Sequence, residues 1–363
     1  MYLEIMIASG VSGGHIYPAL ALADGFKARD ERHEILFVGN VDRMEAKEIP
    51  SHGYAFKGLR TSGLSGGLLD KAKALWQMQV AYRKAKHLVD EFKPDLAIGF
   101  GGYVSAPVMM AAHHKGVKVM IHEQNSIIGA ANRLCIRFAD AVVVCYEKCL
   151  DELAGKNVRL LGNPRAGVVA QHPFNESYYH SLGLDESKPL VLIVMGSLGS
   201  TSVNDAMVEA LNEVKSDVQI LYVTGKTNYE TMKDRFKAKN IKAVPYVDQV
   251  AIMDKVDCIV CRAGATTAAE ITAFGIPAVL IPSPYVAMNH QFYNAKVLVD
   301  KKCAFMIEEK DLTGKQLYEK LNRILNHPAL AKTMRENMLA NGYPNACIDM
   351  IDWAYELVGE KSE

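Results

Sequence analysis

A histidine closes the first glycine-rich turn of the chain. The stretch SGVSGGHIYP, residues 9–18, follows the apolar run Leu3–Ala8 and carries three glycines, two serines and His15 where a strand hands over to a helix. Glycine lets a backbone approach an anion, and a helix start offers unpaired N–H groups and a positive dipole end. Ser12, Gly13 and Gly14 form such a nest, and a histidine titrating near neutrality suits general-base work on a hydroxyl. A second turn of this kind, with Gly196, Ser197, Gly199 and Ser200, follows the run PLVLIVM. Neither is a dinucleotide fingerprint: Gly10, Gly13 and Gly14 do not make G-x-G-x-x-G, and the second apolar run ends at Gly39–Asn40 without an acidic ribose clamp. Neither ends in Gly-Lys-Ser/Thr, which excludes a P-loop.

Other turns add polar groups. GFGGYVSAP offers Gly101, Gly102, Tyr103 and Ser105, and IHEQNSIIGAANR offers His122, Glu123, Asn125 and Asn132. CRAGATTAAEITAFGIP sets Gly264 at a helix start and Glu270 within the first turns of that helix. A carboxylate there suits the helix dipole, and equally the two vicinal hydroxyls of a ribose. In NHQFYNA, Gln291 and Asn294 stand three apart, so two amides share a helix face in a way that fits a sugar ring.

These turns need strands to hold them. LEIMIA, EILFVG, DLAIGFG, VKVMIHE and AVVVCY read as strands in the first half, with helical pattern between them. PLVLIVMG, VQILYVTG, IKAVPYV, CIVCRAG and PAVLIPSP repeat the pattern in the second. Runs this apolar are covered on both faces, which predicts parallel sheets. A parallel sheet gathers its binding loops at the carboxyl ends of its strands. The expected architecture is therefore α/β, with two Rossmann-like doubly wound domains: residues 1–163, residues 164–345, and a last helix in 346–363 that packs back on the first domain or elsewhere.

The composition narrows the class. The chain has 363 residues, formal net charge +0 and 49% hydrophobic residues, so no electrostatic case for nucleic acid exists. The N-terminus lacks a charged segment followed by a long apolar one. Seven scattered cysteines suit a reducing compartment. Cys258 and Cys261 lie three apart in a strand-like run, hence on opposite faces, and read as buried apolar residues rather than a zinc pair.

The same motifs, in this order across nearly the whole chain, closely resemble the bacterial peptidoglycan N-acetylglucosaminyltransferases, the family that converts lipid I to lipid II. The resemblance implies a GT-B fold, two Rossmann-like domains facing a cleft. It implies inverting transfer of N-acetylglucosamine (GlcNAc) from UDP-GlcNAc to the C4 hydroxyl of N-acetylmuramyl-pentapeptide on undecaprenyl diphosphate. It makes His15 the favoured base; on chemical grounds Glu123 is the second candidate. Ser12, Gly13, Gly14, Gly101, Gly102, Tyr103, His122, Asn125 and Asn132 would then serve the acceptor and its diphosphate. Arg165, Ser197, Asn204, Val247, Arg262, Gly264, Glu270, Gln291 and Asn294 would serve the donor. Three departures stand out: Val11 replaces a usual glycine, Ala263 a common serine, and Arg165 follows Pro164 directly where many members have Gly-Asn-Pro-Val-Arg.

No Asp-x-Asp stands in a loop at a strand end, so neither a cofactor nor a protein-bound metal is expected. The implied partners are UDP-GlcNAc, lipid I and the anionic cytoplasmic face of the cell membrane, with other cell-wall synthesis proteins left open. The candidate membrane contact is residues 63–88, where Leu64, Leu68, Leu69, Leu75 and Trp76 accompany Lys71, Lys73, Arg83, Lys84 and Lys86. An ordinary helix covering the sheet is the alternative for that segment. For the activity, the alternatives are a UDP-GlcNAc 2-epimerase, another GT-B glycolipid glycosyltransferase and a non-enzymatic sugar-nucleotide sensor.

Overall fold

A computed structural model describes residues 2–63, 66–170, 172–196, 203–214 and 217–359. The chain divides into two compact units, residues 1–168 together with 344–363, and residues 169–343. The boundary thus lies after Val168, a few residues beyond the expected one, within the helix Pro164–Ala170.

Unit 1 is built on seven parallel strands: β1 (Glu4–Ala8), β2 (Glu34–Asn40), β3 (Ala55–Leu59), β4 (Leu96–Gly99), β5 (Lys118–Glu123), β6 (Ala141–Val144) and β7 (Val158–Leu160). Their order is β3-β2-β1-β4-β5-β6-β7. The direction of winding reverses between β1 and β4, the point where a doubly wound sheet opens its binding crevice. Alternation decides the faces. Ile5 and Ile7 enter one core with α1 (Gly13–Arg29) and the C-terminal helix Ala346–Gly359. Met6 and Ala8 enter the other, with α3 (Leu68–Phe92) and α4 (Ser105–His114).

The C-terminal helix contributes Met350, Ile351, Trp353, Ala354 and Leu357 to the core of unit 1. Arg29–Asp352 and Arg159–Glu356 ion pairs flank it, and His33 Nε2 lies 2.7 Å from the Tyr355 hydroxyl. Gly25 admits Cys347 so closely that a methyl group there would collide with its sulfur.

Unit 2 has six parallel strands: β8 (Leu190–Val194), β9 (Gln219–Val223), β10 (Ile241–Val244), β11 (Cys258–Cys261), β12 (Ala278–Leu280) and β13 (Ala304–Met306). Their order, β10-β9-β8-β11-β12-β13, places the switch point between β8 and β11. Cys258 and Cys261 sit in the cores on opposite faces of this sheet, both thiols pushed up by burial.

Candidate functional site

In unit 1 the loops after β1, β4 and β5 interlock. Ser12 is the N-cap of α1, with extended backbone, yet its side chain makes no capping bond. Its hydroxyl instead lies 2.9 Å from His15 Nδ1. That contact occupies Nδ1. Across the switch point, Gly101 and Gly102 adopt φ values of 101° and 82°. A methyl group at Gly101 would stand 2.8 Å from His15 Cδ2, and one at Gly102 would stand 2.7 Å from the Gly10 carbonyl oxygen. Only glycines let the β4 loop close over the β1 loop. Ser105 Oγ fastens them, 2.7 Å from the Gly101 carbonyl and 3.1 Å from that of Ala8. Tyr103 is exposed beside them, its ring against Gly63.

The β5 loop is organised around Glu123, which is buried. Oε1 accepts from the Asn125 N–H at 2.9 Å and from Asn125 Nδ2 at 3.3 Å, while Oε2 accepts from the Gly129 N–H and Asn132 Nδ2, both at 2.9 Å. Gln124 Nε2 donates to the Phe100 carbonyl at 3.0 Å and reaches that of Gly14 at 3.3 Å, tying all three loops together. Among the described residues, buried Ser9 Oγ, Gln124 Oε1 and Asn132 Oδ1 have no hydrogen-bond partner along this edge. Such atoms mark a site that water or a polar ligand completes.

In unit 2, Gly264 caps the helix Ala265–Phe274, and a methyl group there would meet nothing nearer than Thr267 Oγ1 at 3.9 Å. The N-terminus of that helix is therefore open to close approach by an anion. Glu270 is buried on the same helix and accepts from Gln249 Nε2 at 2.9 Å. Gln291 Oε1 accepts from the Ser283 N–H at 2.9 Å, and Asn294 Nδ2 donates to the Ala263 carbonyl at 3.2 Å. The helix His290–Asp300 thus holds the loops that follow β12 and β11.

Residues 5–144 match the glycosyltransferase family 28 N-terminal domain, and residues 190–347 match the family 28 C-terminal domain. The chain belongs to glycosyltransferase family 28. A UDP-N-acetylglucosamine–N-acetylmuramyl-(pentapeptide) pyrophosphoryl-undecaprenol N-acetylglucosamine transferase of Limosilactobacillus fermentum is 38% identical to it, over 96% of this chain and 97% of its own length. The crystal structure of Acinetobacter baumannii MurG matches with TM-score 0.79 and 26% identity, over 96% of this chain and 98% of that one. A UDP-N-acetylglucosamine 2-epimerase structure reaches TM-score 0.68 at 12% identity, covering 100% of this chain and 98% of its own, which shows a shared fold alone.

Within this family 28 chain, several residues expected at the ligand face inward instead. His122 is fully buried against the Phe100 ring, with Nε2 donating to the Gly162 carbonyl at 3.1 Å, so it does not reach an acceptor. Glu123, with two donors on each oxygen, braces its loop rather than standing as a second base, and burial raises its pKa against those donors. Asn204 accepts the Tyr222 hydroxyl at 2.9 Å inside the core. Arg262 donates to the Ile281 carbonyl at 3.0 Å and pairs with Glu309 at 2.6 Å, both side chains nearly buried, so it ties strand ends together. Val247 buries its side chain in the core, and the contact expected of it, through backbone groups, is not touched by that burial. Arg165 lies in unit 1, because its helix docks on the segment leading into the C-terminal helix: a methyl group at Gly167 would stand 2.8 Å from the Pro344 carbonyl oxygen. Ser197, Gly199 and Ser200 lie outside the described residues. Gln124 and Gln249 were missed as site residues; each adjoins a strand end or a recognised carboxylate, but single amides carry no spacing signal.

His122 also carries a stability consequence. Burial lowers its pKa from 6.5 to about 4. Its neutral form contributes fully above 6.5, and that contribution fades as pH falls from 6.5 towards 4, by about 3 kcal/mol in total. The thermal midpoint of the parent should therefore drop between pH 7 and 4.5 more steeply than that of a folded His122→Phe variant. Parallel profiles would show that the acid sensitivity originates elsewhere.

Proposed function

We infer that this chain transfers GlcNAc from UDP-GlcNAc to the C4 hydroxyl of N-acetylmuramyl-pentapeptide on undecaprenyl diphosphate, converting lipid I to lipid II in peptidoglycan synthesis. The observation that carries the chemistry is His15, fixed between Ser12 and Gly101 at the switch point of the first sheet. His15 takes the proton of the acceptor hydroxyl as that oxygen attacks the anomeric carbon, and the configuration inverts. UDP leaves, its growing charge met by the N-terminus of the helix Ala265–Phe274. Glu270 takes the ribose hydroxyls, and the amides of Gln291 and Asn294 set the loops around the sugar. UDP release measured with UDP-GlcNAc, with and without a lipid I analogue, tests the reading. Release must require both substrates. Turnover of UDP-GlcNAc alone would favour an epimerase, and binding without turnover a sensor.

The acceptor is lipid-borne, and no helix among the described residues is long and apolar enough to cross a membrane. The reading is therefore peripheral attachment to the anionic cytoplasmic leaflet. Its support is the start of α3: the helix covers the sheet with Ala74, Ala81, Ala85 and Val89 buried and Tyr82, Leu88 and Phe92 half-buried, yet leaves Leu68, Leu69 and Trp76 exposed at 86%, 87% and 67%. Lys71, Lys73, Arg83 and Lys84 are exposed on the same helix. Apolar side chains at its start would enter the interface, and each nearby cation adds about 1 kcal/mol at an anionic surface. Leu64 lies outside the described residues. Replacing Leu68, Leu69 and Trp76 by serine should weaken co-sedimentation with vesicles containing anionic lipid, while UDP binding persists. A folded triple variant that pellets as well as the parent, in low and moderate salt alike, would rule out this segment as the anchor.

A further inference from the structure

The turn that carries His15 contains a strained residue. Val11 has φ 79°, in the left-handed region that a β-branched side chain enters only under constraint. The constraint comes from α2 (Glu45–Ser51), a short helix that follows β2. The Glu45 carboxylate is fully buried. Its Oε2 accepts the Val11 N–H at 3.2 Å, and its Oε1 accepts the N–H and Nδ2 of Asn40 at 3.0 and 3.2 Å. Asn40 in turn accepts from the Thr61 N–H and hydroxyl, at 3.0 and 2.7 Å.

The space for this carboxylate is made by absent side chains. A methyl group at Gly10 would collide with Glu45 Oε1, and one at Gly39 would stand 2.6 Å from Glu45 Cγ. Glu45 is therefore wedged between the ends of β1 and β2, held by three donors, directly beneath the residue that precedes Ser12. If Val11 relaxed to negative φ, Ser12 would turn with it, and the Ser12 hydroxyl is what holds His15 Nδ1.

We propose that Glu45 is a positioning residue for the transfer reaction: its carboxylate clamps Val11 in the left-handed region and thereby sets how the Ser12–His15 pair is presented. This role rests on the reading of His15 as the base. Glu45 touches neither the reacting atoms nor His15, so it acts through the backbone of the turn.

Glu45→Gln keeps the shape of the side chain. Its single oxygen satisfies the two donors of Asn40, which turns the amide NH2 towards the Val11 N–H, donor against donor. A misplacement of about 1 Å in a reacting group costs on the order of 10²-fold, so kcat should fall by about that factor with KM for UDP-GlcNAc little changed. Adding Val11→Gly removes the steric cost of the left-handed turn, and the double variant should recover about 10-fold or more of the lost kcat, a non-additivity expected only of coupled sites. An independent arm needs no turnover: ring ¹⁵N resonances of His15 should report loss of the Ser12 hydrogen bond in Glu45→Gln and its return in the double variant. A Glu45→Gln enzyme with parental kcat, or a double variant no better than Glu45→Gln in both arms, overturns the proposal. A parent that releases no UDP overturns the transferase reading instead, and the ring spectra still decide the clamp.

Discussion

Replacing His15 by alanine should lower kcat by about 10²–10⁴-fold, the usual cost of losing a general base. KM for UDP-GlcNAc should change far less, because Glu270, Gln291 and Asn294, the proposed donor contacts, belong to unit 2 and His15 belongs to unit 1. Steady-state rates at saturating lipid I analogue, with protein integrity checked by thermal unfolding, give the answer. A variant that keeps most of its turnover removes His15 as the base. Glu123 could not simply take over, since both of its oxygens already hold the β5 loop.

Gly101→Ala should be nearly as damaging without touching the chemistry directly. The new methyl would stand 2.8 Å from His15 Cδ2 and 3.0 Å from Nε2, at a residue whose φ of 101° already disfavours a side chain. Either the ring or the loop must give way, and displacement of His15 by about 1 Å should bring a loss of about 10²-fold in kcat. The decisive comparison is the double variant. If Gly101 matters through His15, then Gly101→Ala added to His15→Ala costs little more than His15→Ala alone. Fully multiplicative losses would mean that Gly101 serves the reaction by another route.

Much of this arrangement was legible because strand ends announce themselves. Apolar runs followed by glycine and serine located the loops after β1, β4 and β11, and the parallel sheets followed from those runs. The strands that escaped notice, β3, β7 and β13, all lie at sheet edges. Edge strands are short or half-solvated, and AFKGL in β3 alternates too weakly to stand out. Side-chain direction was the harder matter. His122 shares its parity along β5 with Met120, which lies in the core beneath α1, so the strand period itself turns His122 inward. Asn204 and Arg262 have polar types that suit a ligand equally well as a buried partner, and only tertiary contact with Tyr222 or Glu309 decides between them. Glu45 left no trace in the sequence, because the role proposed for it arises from the approach of α2 to Gly39 on β2 and to Gly10 just past the end of β1.

The return of the C-terminal helix to unit 1 imposes an order of events on biosynthesis. At about 5–20 residues per second, the ribosome needs roughly 10–35 s to make Val169–Tyr343 before that helix begins to emerge. Throughout that interval the face of the first sheet bearing Ile5, Ile7 and Phe37 lacks Met350, Ile351 and Trp353 as its cover. The second unit, whose chain is continuous, can finish first, reversing the usual N-to-C sequence of domain maturation. The nascent first unit waits as a sticky client for chaperones, and a stalled or prematurely released chain would carry an apolar wound rather than a usable half-enzyme.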